Sequence, residues 1–453
     1  MSTRGAWSSK FGFILAGAGS AIGLGAIWRF PYITGANGGA VFVLVFLVCC
    51  LVIGLPVMIA EFSLGRHTEK NAFGMFRALH GGRLWKWVGG LCIVSGFVIF
   101  SWYSVIAGWI IGYLYAAIIG TFDFFQGSTA VGAFFSAFAG DALLVSLLHF
   151  AIIFGTAFVV IRGIKDGIET LSKWLMPVLF VLLILLAVRS VTLPGAGAGL
   201  EFYLKPDWSK FSGKMVLAAM GQAFFSLSLG MGTMATYASY LSKRENIATS
   251  AAWITFFEVL ISLIAGFVIL PAVSAMGASY TEGPSLIFVV LPGIFGAMPG
   301  GYFFGVGFFI LVIIAALTST VSMLEVPVAY FVDEKRWTRR NAVLFVALVS
   351  FLIGTPAAQA HGASAFWSHL PGLGTDFFTF ISTLFGDISL SVGAFFIALF
   401  TGWVWGARNA VGEITAEGNT FGLAGTWSFL IRWVAPVTIA IIFVNVIRAL
   451  IVG

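Results

Sequence analysis

The chain has 453 residues, 60% of them hydrophobic and only 9% charged, with a mean hydropathy of +1.03 and a formal net charge of +6. A soluble domain carries about 25% charged residues, so this composition excludes a water-soluble enzyme or binding module. The basic excess is a topological signal rather than a nucleic-acid one, because in membrane proteins the position of Lys and Arg matters more than their sum.

The polar arm Arg4 to Lys10 is too short for a signal sequence, and no cleavage site follows the first apolar run. That run contains Gly17-Ala18-Gly19-Ser20-Ala21-Ile22-Gly23-Leu24-Gly25-Ala26-Ile27-Trp28-Arg29-Phe30-Pro31. Each Gly costs about 0.8–1 kcal/mol relative to Ala inside a helix. Hydrocarbon tolerates broken backbone only where protein or a water-filled cavity covers it. The stretch therefore predicts an interrupted membrane span whose free carbonyls and amides hold ions and a small zwitterion.

Apolar runs of helical length predict eleven spans, near 11–36, 39–64, 87–119, 142–161, 168–189, 215–241, 247–274, 301–332, 341–358, 377–405 and 427–450. The fold class is an all-α integral membrane bundle, a single transporter domain over 1–453 without a soluble domain. Eighteen Lys and Arg fall on the side of the N-terminal arm, five on the other, and Arg29 lies within the membrane. The positive-inside rule then predicts a cytoplasmic N-terminus and an extracytoplasmic C-terminus, in the cell's inner (plasma) membrane. Cys49, Cys50 and Cys92 sit in apolar runs and read as buried free thiols. Gly195 to Lys214 reads as a surface loop, with packing over the outer face as the alternative. Ser274 to Gly301, with Pro284, Pro292 and Pro299, reads as a re-entrant or capping hairpin.

A second interruption lies in span 6, Gly221-Gln222-Ala223-Phe224-Phe225-Ser226-Leu227-Ser228-Leu229-Gly230-Met231-Gly232-Thr233. Spans 1 and 6 are five apart, as in two five-span repeats, here about 11–190 and 215–405, with 427–450 an extra helix. Paired broken helices at matching positions are the best sequence pointer to a transporter's binding site.

Intramembrane charge costs about 2.5–3.5 kcal/mol per residue on insertion scales, so Arg29, Glu61, Glu258 and Glu325 each need a role. Glu258 is mid-span with no basic residue in its helix, which favours a cation ligand or proton relay over a protonated carboxyl making one hydrogen bond. For Glu61 and Glu325 structural and functional roles stay open. Arg29, beside the break, reads as a gate. In span 8, either Thr318, Ser319 and Thr320 bond back to their own carbonyls or, opposite a broken helix, Thr318 and Ser319 offer hard oxygens to an alkali cation. Carboxylate clusters of the kind divalent sites need are missing. An enzyme is disfavoured, since His67, His80, His149, His361 and His369 form no constellation.

These residues resemble the neurotransmitter:sodium symporters, in their eleven-span bacterial amino-acid-transporting branch. The resemblance rests on Gly19–Pro31, Gly221–Gly232, Ala315–Ser319, Arg4-Gly5-Ala6-Trp7 and Tyr237-Ala238-Ser239-Tyr240. It implies an inverted five-plus-five repeat, alternating access, an L-amino-acid substrate and two sodium ions. One sodium site would use carbonyls of Gly19, Ile22 and Ala315 with the hydroxyls of Thr318 and Ser319. The other would use the Ala21 carbonyl, Ser226, Glu258 and the substrate carboxylate. That carboxylate would also meet the amides of Leu24 and Gly25 and the hydroxyl of Tyr103. The substrate ammonium would face Ala21, Phe225, Ser226 and Ser228. Ile99, Phe225, Met231, Ser319, Thr320 and Met323 would line the side-chain pocket.

The resemblance further implies gates. On the inner side Arg4 would pair with Asp333, while Trp7 would plug beneath span 6 near Ser239 and Tyr240. On the outer side Phe225 and Arg29 would close the site, with Asp376, Asp387 or Ser382 as the partner of Arg29. Gly167, ten residues before Pro177, marks a segment of span 5 that either unwinds to release sodium or forms an ordinary kink. Two positions depart from the family pattern. Ala26 and Glu258 stand where asparagine is frequent, so a ligand is lost at one and a carboxylate gained at the other. The carboxylate would replace the negative charge that chloride supplies in animal members, which predicts chloride-independent transport. Two adaptable thioethers, Met231 and Met323, favour large hydrophobic or aromatic amino acids. A proton-coupled or uncoupled carrier is the alternative. Neither nucleic acid nor an obligate protein partner is implied.

Overall fold

The computed structural model describes residues 5–79, 84–124, 128–277 and 286–452. Every regular element among them is helical. Nine helices are long and apolar enough to cross a membrane on their own: Ala40–Thr68, Trp85–Ile118, Ala142–Ile161, Ile164–Val191, Ile247–Ala275, Gly301–Lys335, Arg339–Ala358, Phe377–Val404 and Ala424–Asn445. We number them spans 2–5 and 7–11. Span 1 is the pair Lys10–Ala21 and Gly25–Ala36, bent by 51°. Span 6 consists of Gly213–Ser226 and Thr233–Ala238, of 14 and 6 residues, each too short to cross alone. The described residues thus hold nine continuous spans and one bent pair, where the apolar runs predict eleven.

Polar caps fix where the helices begin. Ser9, Asp141, Ser212, Asn246, Thr338 and Asp376 each accept a hydrogen bond from a backbone amide of the first turn, which a hydrocarbon environment would otherwise leave unsatisfied. Spans 3 and 8 are the inner pillars, each 72% buried over its most apolar stretch, and they pack on one another. Span 5 is only 28% buried and lies at the periphery. All three cysteines are buried free thiols.

The stretch Gly195 to Lys214 is not a plain surface loop. It forms a helix, Ala196–Leu204, whose buried Tyr203 donates its hydroxyl to the Leu263 carbonyl at 2.9 Å, in span 7. The ring rests on Gly266, where any side chain would collide with it. The expected hairpin 274–301 is described only in part. Residues 286–297 are helical and pack on the start of span 8, and residues 278–285 lie outside the described residues.

Candidate functional site: two broken helices facing span 8

The first half-helix of span 1 ends at Ala21, with the Ile22 amide bonded to the Ala18 carbonyl at 2.6 Å. Helical backbone resumes as a wide turn, Gly25–Arg29, running into Phe30–Ala36. Between them the Leu24 amide donates to the Tyr103 hydroxyl of span 3 at 3.0 Å. A helix ending at Ala21 presents carbonyls, favourable to a cation, and one starting at Gly25 presents amides, favourable to an anion. Gly25 is required by proximity, because a Cβ there would come within 2.9 Å of the Phe225 ring and 3.3 Å of the Ser226 Cα. The two breaks therefore meet backbone to backbone.

Span 6 opens over residues 227–232. Ser228, Gly230 and Gly232 all adopt left-handed backbone, at φ of +54°, +87° and +73°. Ser228 is the costly one, because left-handed backbone costs an L-residue roughly 1–2 kcal/mol. Its hydroxyl donates to the Ser20 carbonyl at 2.9 Å, which ties it to span 1. Glu61 holds the far side of the loop: its fully buried carboxylate accepts from the Gly230 amide at 2.8 Å and the Ala235 amide at 3.3 Å. Glu61 is thus a backbone clamp. Gln222 links the breaks, donating from Nε2 to the Gly25 carbonyl at 2.8 Å.

Span 8 closes the third side. Ser319 donates to the Ser20 carbonyl at 3.2 Å and lies 3.4 Å from the Gly19 carbonyl. Thr318 bonds back to the Ala315 carbonyl at 3.0 Å, and its side chain packs against Gly19. Carbonyls of span 1 and hydroxyls of span 8 therefore converge on one spot. In span 7, Glu258 is fully buried; one of its oxygens accepts from Ser262 at 2.8 Å. The other, Oε2, and the neighbouring Ser226 hydroxyl are buried with no partner at hydrogen-bonding geometry among the described residues. Buried polar oxygens without partners are rare, and two together fit a cation held between them.

Among these elements lies a cavity of about 20 Å³, lined by residues that include Ser20, Ala21, Gly23, Gly25, Ile99, Tyr103, Phe225, Ser228, Met231, Ser319, Met323 and Leu390. At one end of the bundle, Arg29 pairs with Asp387 of span 10 at 3.2 Å and lies 4.6 Å above the Phe225 ring. Asp376 instead caps span 10, accepting from the Thr379 amide at 2.8 Å, and Ser382 bonds to the Thr379 carbonyl. At the other end, the Trp7 indole donates to the Tyr237 carbonyl at 2.9 Å. Tyr240 donates to Glu325 at 2.8 Å, and Arg339 pairs with the same carboxylate at 2.5 Å, so Glu325 is a structural anchor at this end. Asp333 accepts from the amide and side chain of Asn71, both at 3.1 Å. Arg4, its expected partner, lies outside the described residues. The arm is also latched by Glu169 of span 5, which accepts from the Ser8 amide at 2.7 Å and from the Ser8 hydroxyl.

The profile of the sodium:neurotransmitter symporter family matches residues 4–130 and 141–451. The chain belongs to this family. An uncharacterized sodium-dependent transporter of Bacillus subtilis, YhdH, is 37% identical over 451 residues, covering 98% of both chains. The Drosophila melanogaster sodium-dependent serotonin transporter is 28% identical, over 98% of this chain and 76% of its own. The crystal structure of MhsT in complex with L-phenylalanine superposes with a TM-score of 0.89 at 42% identity, over 98% of this chain and 100% of that one. The protein is accordingly a multi-pass, sodium-dependent membrane symporter and not an enzyme.

Most of the symporter residues named from the sequence come together at the two breaks. Thr320 does not. Its hydroxyl faces Thr156 of span 4 at 3.0 Å, because it follows Ser319 by a single helical step and so points away from the cavity. Leu390, Gln222 and the clamping role of Glu61 have no counterpart in the sequence reading. The intramembrane charge of Glu61 was the one signal available for that role. In span 5 the segment Ile164–Glu169 is a wide turn, and Pro177 sits inside the helix that follows.

Proposed function

We propose that the protein takes up L-amino acids with large hydrophobic or aromatic side chains, coupled to two sodium ions, by alternating access and without chloride. The observation that carries this reading is the pair of unpartnered buried oxygens, Glu258 Oε2 and Ser226 Oγ, beside the facing breaks. One sodium ion would sit there with the Ala21 carbonyl and the substrate carboxylate. A second would sit among Gly19, Ile22, Ala315, Thr318 and Ser319. The substrate carboxylate would meet the amides at Leu24 and Gly25 and the Tyr103 hydroxyl. Its ammonium would meet the carbonyls of Ala21, Phe225 and Ser226 and the hydroxyl of Ser228. The apolar wall of Ile99, Phe225, Met231 and Met323 would take the side chain. The solved complex of MhsT with L-phenylalanine supports an amino acid as the substrate.

Coupling follows from shared ligands. A substrate carboxylate that completes a sodium shell binds better when sodium is present, and sodium gains equally from the substrate. Arg29 with Asp387 would form the outer gate and Trp7 the inner plug, with the N-terminus cytoplasmic in the plasma membrane. Glu258 supplies a fixed negative charge next to sodium, which removes the need for chloride.

Binding of the twenty amino acids to purified protein, in sodium and in choline, tests this reading. Phenylalanine, tryptophan and leucine bind only in sodium if it holds. Binding that instead follows pH and ignores sodium replaces it with a proton-coupled carrier using Glu258 as relay. Exchanging chloride for gluconate leaves uptake unchanged, and Glu258→Gln makes uptake chloride-stimulated. Stimulation of the unaltered protein by chloride overturns the chloride-independent reading.

A further inference from the structure

We propose that Leu390 sets the size of the amino-acid side chain this symporter accepts, as part of the lid over the substrate cavity. A larger cavity of about 470 Å³ opens at the Arg29 end, lined by residues that include Arg29, Lys214, Phe224 and Asp387. Only two of the residues lining it, Phe225 and Leu390, also line the 20 Å³ cavity below. Phe225 comes from the break in span 6 and carries Arg29 on its face. Leu390 comes from span 10, three residues past Asp387, and is only 4% exposed.

The span 10 backbone at this point leaves little freedom. Gly230 and span 10 touch backbone to backbone: a Cβ on Gly230 would fall 2.9 Å from the Ala394 amide nitrogen, and one on Gly393 would fall 2.9 Å from the Gly230 carbonyl carbon. Next to Leu390, Ser389 hydrogen-bonds Ser95 of span 3 at 2.7 Å, and Ser391 donates to the Asp387 carbonyl at 2.9 Å. Leu390 thus lines the small cavity together with Met231 and Phe225 on a backbone held in place. Asp387 and Leu390 lie about a turn apart on one braced segment, so the Arg29–Asp387 pair holds Leu390 over the cavity and closes it. A substrate side chain is accepted when it leaves room for that closure. Met231 and Met323 adapt in shape; Leu390, branched and held by its backbone, sets the limit.

This inference rests on the amino-acid reading above, and one experiment separates the two. Dissociation constants for tryptophan and valine are measured in sodium on the purified full chain, and their ratio is compared between variants. Leu390→Ala shifts the ratio toward tryptophan by roughly tenfold or more, the discrimination that small volume changes give in an apolar pocket. Leu390→Phe shifts it toward valine. Leu390→Val shifts it in the same sense as alanine with smaller amplitude, and serves where the alanine variant does not fold. Thr320→Val, facing away from the cavity, leaves the ratio where it was. A ratio moving by less than about twofold in both the larger and the smaller variants overturns the role of Leu390. If the unaltered protein binds no amino acid in sodium, the substrate reading falls and this inference with it.

Discussion

The two broken helices reach the same result by different means. The break in span 1 takes only residues 22–24, with none of them in left-handed backbone, and leaves the two half-helices bent by 51°. The break in span 6 takes residues 227–232 and uses three left-handed residues. The short break is held by side chains reaching in from spans 3, 6 and 8: Tyr103 at the Leu24 amide, Gln222 at the Gly25 carbonyl, and Ser228 and Ser319 at the Ser20 carbonyl. The long one is gripped from several sides, by Glu61 of span 2, by Cys92 of span 3 at 3.4 Å from the Gly230 carbonyl, and by the span 10 backbone. A wider opening leaves more amides and carbonyls without helical partners, and each needs a partner from elsewhere in the fold. Both breaks thus draw on the assembled bundle; what separates them is backbone, since the span 6 break depends on left-handed residues and the span 1 break does not.

Substitutions at glycine separate the two most strongly. Gly230→Ala puts a side chain on left-handed backbone and against the Leu390 carbonyl, so sodium-dependent substrate binding is lost and the melting temperature in detergent falls sharply. Gly25→Ala meets the Phe225 ring and, at 3.3 Å, the Ser226 Cα but adds no left-handed strain, so it weakens binding while leaving a folded protein. Equal melting temperatures for the two variants would break the distinction between an opening that depends on left-handed backbone and one that does not. Next in size is Glu61→Ala, which strips the Gly230 and Ala235 amides of their acceptor at a cost of about 1–3 kcal/mol each. Glu61→Gln keeps one carbonyl oxygen and recovers part of that loss, as thermal melts with and without sodium would record. Gln222→Leu, removing one of the bonds between the breaks, costs about 1 kcal/mol and weakens substrate and sodium binding together.

Glycine made both breaks legible, because in each helix the clustered residues are ones a straight helix would not use. What the breaks touch was less legible. Span 6 fails a length criterion, since its halves of 14 and 6 residues look like short helices. The partner of Arg29 stayed open among Asp376, Asp387 and Ser382 because span 10 contains two wide turns, Thr383–Ile388 and Phe400–Val404. Each wide turn accommodates an extra residue and rotates everything beyond it, so counting at 3.6 residues per turn misplaces Asp387. Thr320 failed for the opposite reason: span 8 is regular there, and one residue's step turns its hydroxyl to span 4. The helix Ala196–Leu204 was hidden by its glycines, whose weak propensity is outweighed by burial of Tyr203 against Gly266. Glu61 and Gln222 find their partners 169 and 197 residues away, and no local pattern carries that information.

The smallest effect on stability is expected at Ser228, and it sharpens the comparison most. Serine pays for a left-handed conformation at φ +54° that glycine adopts without strain, yet its hydroxyl reaches the Ser20 carbonyl across the gap between the breaks. Replacing it by glycine relieves roughly 1–2 kcal/mol of strain and gives up a hydrogen bond of about 1 kcal/mol net. The two nearly cancel, and the melting temperature of Ser228→Gly stays close to that of the unaltered protein. Binding does not share in the cancellation. The hydroxyl is a proposed ligand of the substrate ammonium, so isothermal titration of phenylalanine in sodium gives a weaker affinity for the variant. A strained serine at this position then reflects a requirement of the site and not of the fold. Unchanged affinity with a raised melting temperature would instead make Ser228 a dispensable tether, and would leave the ammonium to the carbonyls of the two breaks alone.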